Sequence, residues 1–121
     1  MSELIAVGCG GFVGAVLRWW LSVFVARVTT EGFPWGTFVV NILGCLVMGV
    51  LAGLVETRNV LGPHMRHALV VGFVGSFTTF STFGRETLIL MERGATLMAT
   101  IYVLASLVFG LAAVWLGMRL C

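Results

Sequence analysis

Between Arg93 and Arg119 the chain carries no charged residue, and from Gly36 to Val55 it carries none either. About 20 apolar residues is the length of helix that crosses the hydrocarbon core of a bilayer. In lipid every backbone N–H and C=O must be bonded within the protein, so stretches of this kind read as spanning helices. Two further stretches join them. One covers about 4–26 and holds a single charge, Arg18. The other covers about 66–93 and is interrupted by Gly, Ser and Thr. The expected fold is therefore all-α and integral to a membrane, one domain over residues 1–121. Its four spans lie at about 4–26, 36–55, 66–93 and 95–118, with the third broken near 75–80.

Composition supports lipid as the solvent. Hydrophobic residues make up 60% of the chain and charged residues 10%, against roughly 25% charged in soluble domains. A net charge of +2 with no basic run points away from a nucleic-acid partner. The cysteines are three (Cys9, Cys45 and Cys121), and Cys9 and Cys45 sit in apolar runs. They read as small packing residues rather than a disulfide framework. The first residues lack a positive n-region, so no cleavable signal peptide is expected.

Four spans put both termini on one side. Arg58, Arg66 and Arg119 then face Arg27 and Arg93 across the membrane. Orientation follows the Arg and Lys excess in short loops, and here there is almost none. Either a single position such as Arg18 decides the orientation, or the chain inserts both ways and pairs with an inverted copy. Small residues recur four apart at Gly10 and Gly14, Gly49 and Gly53, Gly72 and Ser76, and Ser106 and Gly110. That spacing lets helix backbones approach closely in lipid. A four-helix bundle is too thin to enclose a pathway alone, so an oligomer is expected.

The stretch from Gly72 to Glu86, GFVGSFTTFSTFGRE, concentrates poor helix formers in the middle of a span. Unravelled backbone is tolerated in a membrane only where it is buried in protein or lines a cavity. The competing expectation is a continuous helix whose hydroxyls bond back one turn. Phe77, Phe80 and Phe83 fall three apart, on one side of such a helix, and alternate with hydroxyls. Phenyl edges are positive, so edges and O–H groups together can solvate a small anion without binding it too tightly to leave.

Elsewhere the apolar spans carry few polar groups. Asn41 is the lone amide of the second span, with Thr37 one turn before it on the same face. It serves either as an interhelical hydrogen bond or as a donor to an anion. Tyr102 and Ser106 draw a thin polar track on the fourth span. Arg18 either snorkels beside Trp19 and Trp20 or stands in an aqueous vestibule, where it would concentrate anions. Arg85 and Glu86 either neutralise one another or reach outward, with Glu86 at a pathway mouth. His64 and His67 read as surface residues, since no set of metal ligands surrounds them.

Three ordered motifs then carry a resemblance over essentially the whole chain. GGFVGAVLRWW, WGTFVVNILGC and GFVGSFTTFSTF are similar to the GxxGAxxR, GTxxVNxxG and GxxGxxTTFSTF patterns of the Fluc-type (CrcB family) fluoride channels of bacteria. The resemblance implies a fluoride-selective channel in the bacterial inner membrane, built as an antiparallel, dual-topology homodimer with two fluoride pathways. Asn41, Phe80 and Phe83 would line each path, with hydroxyls from Ser81, Thr82, Tyr102 and Ser106, and Thr37 beside them. Arg18 and Glu86 would stand in the vestibule. A structural Na+ would bind the backbone carbonyls of Gly75 and Thr78 from each subunit. Where some members continue the fourth-helix track with Ser, this chain has Gly110. The main rival is a small proton-coupled exporter, such as a fluoride/proton antiporter, for which Glu86 is the one carboxylate away from a span end. A purely structural membrane protein would leave the polar cluster unexplained, and no nucleophile–base pair suggests an enzyme.

Overall fold

The computed structural model describes residues 1–58 and 60–121, the side chains of Thr57 and Arg58 excepted. Arg58, counted above in the loop charge, thus lies outside the described side chains. All regular structure among the described residues is helical. Three helices are long and apolar enough to cross a membrane: Ser2–Val28, Trp35–Glu56 and Thr96–Arg119. The chain is a multi-pass membrane protein.

Helix α1 spans Ser2–Val28 and α2 spans Trp35–Gly53. A tight turn joins them, in which Gly32 takes φ 110° and Pro34 precedes the first residue of α2. Only glycine adopts that φ without steric cost. After α2 the helix widens to π geometry over Leu54–Arg58. The third region begins at Pro63, whose missing N–H costs nothing at the start of a helix. It runs as α3 (Pro63–Arg66), a π-helical stretch (His67–Val74) and a last short turn, α4 (Gly75–Phe77). Thr78 and Thr79 are extended, and α5 (Phe80–Glu92) follows. Gly94, at φ 78°, turns the chain into α6 (Thr96–Arg119).

Packing is backbone against backbone. A methyl group on Gly10 or Gly14 of α1 would strike the carbonyls of Ala68 and Phe73, and one on Gly72 would meet the carbonyl of Val7. Gly49 of α2 meets the carbonyl of Val114, and Gly117 of α6 meets that of Leu46. Three of the small-residue pairs thus do what their spacing suggests, seating α1 on the third region and α2 on α6. Gly110 differs, since its nearest neighbour is the Cys45 sulfur at an ordinary 3.5 Å. Val40, Val74 and Tyr102 are the largest fully buried side chains. Phe12, Trp19, Leu111 and Trp115 lie on the outside, the arrangement expected of a protein dissolved in lipid.

His67 departs from its expected surface setting. It opens the π-helical stretch half-buried, and its Nδ1 is buried with no hydrogen-bond partner among the described residues. His64 is exposed. His64 of α3 thus points outward, while His67, three residues on at the start of the π-helical stretch, turns toward the bundle.

Candidate functional site

The site begins at the two extended threonines. Thr78 has φ −79° and ψ 157°, and Thr79 has φ −147° and ψ 110°. β-branched residues accept extended backbone readily, and Gly44 of α2 leaves the space into which the Thr78 methyl fits. Leaving the helix strands backbone groups that a membrane interior cannot solvate. Asn41 satisfies them. Its Nδ2 donates to the Thr79 carbonyl at 3.1 Å, and the Thr79 N–H donates to its Oδ1 at 2.8 Å. The amide works as a one-residue piece of β-ladder inside a helical bundle.

Thr79 also caps α5. Its Oγ1 accepts from the Thr82 N–H at 3.3 Å, and lies 3.0 Å from Thr82 Oγ1 and 3.3 Å from Ser81 Oγ. A threonine cap of this kind satisfies one of the orphan donors of a helix start. The hydroxyls of Ser81 and Thr82 are thereby tied to the first turn of α5, and both residues are exposed.

Beside this junction lies an open cleft of about 250 Å3, lined by Asn41, Cys45, Thr78, Thr79, Phe80, Phe83, Ser106 and Leu107. The Phe80 and Phe83 rings stand 5.7 Å apart. Phe80 is 83% exposed, so one flank of the cleft has no wall. Phe77 does not belong with them. The two extended residues put it on the preceding helical piece, buried and stacked on Phe73 at 5.7 Å. The three-residue spacing of the phenylalanines described a continuous helix, and the backbone change at Thr78 and Thr79 splits the stripe.

A second polar centre sits one helical turn further along α5. Thr37 donates to Glu86 Oε1 and Tyr102 donates to Glu86 Oε2, each at 2.8 Å. Glu86 thus turns inward onto α2 and α6, while Arg85 is exposed; the two successive charges on a helix point to different sides. The Tyr102 ring contacts Phe83 at 5.0 Å and Phe33 at 5.3 Å between centroids. Glu86 lines two openings, one of about 510 Å3 against the end of α1 and one of about 340 Å3 toward Arg93. Arg18 occupies a further cleft of about 200 Å3 with Trp19, Ser22, Thr37, Val40, Thr79 and Thr82.

The fold therefore gathers Asn41, Phe80, Phe83 and Ser106 around one cleft. It ties Thr37 and Tyr102 to Glu86, and sets Arg18 beside Thr37 and Thr82. Ser81 bonds to Thr79 without lining the Asn41 cleft. The carbonyls of Gly75 and Thr78 lie at the junction itself. Among the described residues no three His, Cys, Asp or Glu gather as metal ligands.

Residues 5–118 match the family described as CrcB-like protein, Camphor Resistance (CrcB). The chain belongs to the CrcB family. Three relatives, each called "Fluoride-specific ion channel FluC", align with nearly all of it. The protein of Methylobacillus flagellatus is 46% identical over 99% of this chain and 94% of its own length. That of Nitratidesulfovibrio vulgaris is 44% identical over 98% and 95%. That of Oceanobacillus iheyensis is 41% identical over 99% and 92%.

Two contributors to this site carry little mark in the sequence. Thr79 is the cap and the partner of Asn41, and its signal was a hydroxyl three residues ahead of Thr82 at a helix start. Phe33 packs on Tyr102 from the α1–α2 turn, where its only mark was a position between Gly32 and Pro34.

Proposed function

We propose that this chain is one subunit of a fluoride-selective channel that lets fluoride leave the bacterial cytoplasm across the inner membrane. The observation that carries the reading is the cleft beside Thr78 and Thr79, with the FluC relatives supplying the ion. Fluoride is small and strongly hydrated, so it needs many donors, none of them strong enough to hold it. The cleft offers such a set. An amide nitrogen has two N–H groups, and the Asn41 bond to Thr79 uses one, leaving the second for an anion. Ser106 adds a hydroxyl there, and Phe80 and Phe83 add positive ring edges. Beyond the cleft Ser81, Thr82 and Tyr102 would continue the path, Tyr102 with its O–H on Glu86. Arg18 stands in a neighbouring cleft, where its charge raises local anion concentration without sitting in the path.

The working unit in this reading is an antiparallel homodimer of dual topology. One chain leaves Phe80, Ser81 and Thr82 uncovered at membrane depth, where hydroxyls facing lipid are unfavourable. A second copy would close the open flank, and the near-equal arginine distribution permits it to insert inverted. The third span is then one broken helix from Pro63 to Glu92.

The same junction fits a structural Na+. In a continuous helix the carbonyls of Gly75 and Thr78 would accept from the N–H groups of Thr79 and Thr82. Both of those donors go to side-chain oxygens instead, of Asn41 and Thr79. Hard cations take several oxygen ligands, and unwound carbonyls at a helix break supply them. Two carbonyls from each of two chains would make a small oxygen cage. The ion would brace the crossing of the two broken helices.

The test is fluoride efflux from liposomes holding purified protein, followed with a fluoride electrode under a potassium gradient with valinomycin. A channel gives fast efflux that needs the potassium shunt and ignores a proton ionophore. Slow efflux that follows the proton gradient would mean antiport through Glu86, and no fluoride efflux would remove the reading.

A further inference from the structure

We propose that Phe33, in the α1–α2 turn, is a positioning residue of the permeation pathway that holds the Tyr102 hydroxyl on Glu86. The proposal rests on the channel reading above.

Phe33 reaches the site from a loop, not a helix, and the loop is built to aim it. Gly32 before it takes φ 110° and Pro34 after it is fixed at φ −77°. A residue preceding proline is itself confined to extended backbone. The Phe33 carbonyl also accepts from the Trp35 N–H at 2.8 Å. Each constraint removes freedom from a segment that loops otherwise keep. The resulting ring meets the Tyr102 ring edge-on, 5.3 Å between centroids at 83°, and meets Phe38 in the same manner at 5.4 Å and 76°.

Tyr102 is held from two sides. Phe83 of α5 lies 5.0 Å from it and Phe33 lies 5.3 Å from it, which leaves the tyrosine fully buried. Its hydroxyl has one bonded acceptor, Glu86 Oε2 at 2.8 Å. A tyrosine so wedged can present its O–H in only one direction. Phe33 also lines both openings that reach Glu86, toward the end of α1 and toward Arg93. It borders the carboxylate in both openings. Removing it frees Tyr102 to rock off Glu86 and merges the two openings, so the last polar step of the path loses its geometry.

The test is initial fluoride efflux per reconstituted channel for wild type, Phe33→Ala, Tyr102→Phe and the double variant. The expected result is a loss of tenfold or more in Phe33→Ala and a loss of several-fold or more in Tyr102→Phe, with the double variant no slower than the slower single. Such non-additivity marks residues acting through one another, which general loosening of the fold would not produce. Wild-type efflux with an unchanged Phe33→Ala rate, or losses that simply multiply in the double variant, overturns the proposal while leaving the channel reading intact. Absence of efflux from wild type removes both. If Phe33→Ala does not purify as a single species, Phe33→Leu replaces it under the same criteria, since it keeps most of the volume without an aromatic edge.

Discussion

Asn41 and Thr79, 38 positions apart in sequence, are joined by two reciprocal hydrogen bonds of 3.1 and 2.8 Å. One side-chain amide substitutes for the strand partner that an extended residue would need. The helix can therefore open at Thr78 and Thr79 without leaving the Thr79 N–H and C=O unbonded at membrane depth. The amide holds the junction, and in the proposed channel its remaining N–H would be offered to the ion.

Asn41→Leu strands both Thr79 backbone groups, each at about 1–3 kcal/mol. The expected outcome is a clear fall in thermal stability in detergent, with fluoride efflux lost. Asn41→Asp keeps the acceptor for the Thr79 N–H but adds a negative charge beside the path. Efflux should drop by about tenfold or more, the factor that roughly 1.4 kcal/mol of added barrier produces. Wild-type efflux in Asn41→Asp would remove Asn41 from the pathway.

Gly44 makes room for the junction, since a methyl group there would collide with the Thr78 methyl and lie 3.2 Å from the Phe77 ring. Overpacking of this kind costs about 1–3 kcal/mol, so Gly44→Ala should melt markedly earlier than wild type. Gly62, with open space around its Cβ position, is the control. Gly62→Ala should stay within about 0.5 kcal/mol. Equal melting of the two variants would contradict the packing account.

In the proposed channel Phe80 and Phe83 would meet the ion through their ring edges. Phe80→Ile and Phe83→Ile keep apolar bulk and remove the quadrupole. Each should cut fluoride efflux severely while the protein still purifies as a single species. Unchanged efflux in both would refute the ring-edge argument.

Glu86 receives hydroxyls on both oxygens, from Thr37 and from Tyr102. Glu86→Gln offers one acceptor and one donor group, so one hydroxyl meets an N–H instead of an oxygen. A stability loss of about 1–3 kcal/mol is expected. Tyr102→Phe should cost less in the Gln background than in wild type, with a coupling on the order of 1 kcal/mol. Chemical or thermal unfolding of the four variants gives the cycle, and strict additivity would mean the hydrogen bond contributes little.

Much was legible in the residues themselves. Charge-free runs of membrane length specify helices because lipid offers backbone groups no other partner, and this holds for 36–55 and 96–118 whatever they pack against. The glycines of α1, α2 and the third region announced close helix contacts for a similarly local reason, since a missing Cβ is a fixed property of the residue. The cluster of Gly, Ser and Thr near Thr78 marked poor helix-forming sequence, and Asn41 stood out as an amide that must find a partner.

Which partner it finds is a matter of tertiary structure. Asn41 had two open readings, and only the approach of α2 to the third region pairs it with Thr79. The stripe of Phe77, Phe80 and Phe83 was inferred from helical periodicity, which assumes one continuous axis, and two extended residues divide it. Glu86 has a charged neighbour in sequence yet bonds to Thr37 and Tyr102, 49 and 16 positions away. Phe33 carried no mark of function beyond its turn, and its place on Tyr102 follows from how that turn folds back over the bundle. Solvent and backbone chemistry act residue by residue, so the sequence alone determines the spans. Hydrogen-bond and ring partners depend on which helices meet and in what rotation, and that is decided only when the bundle packs.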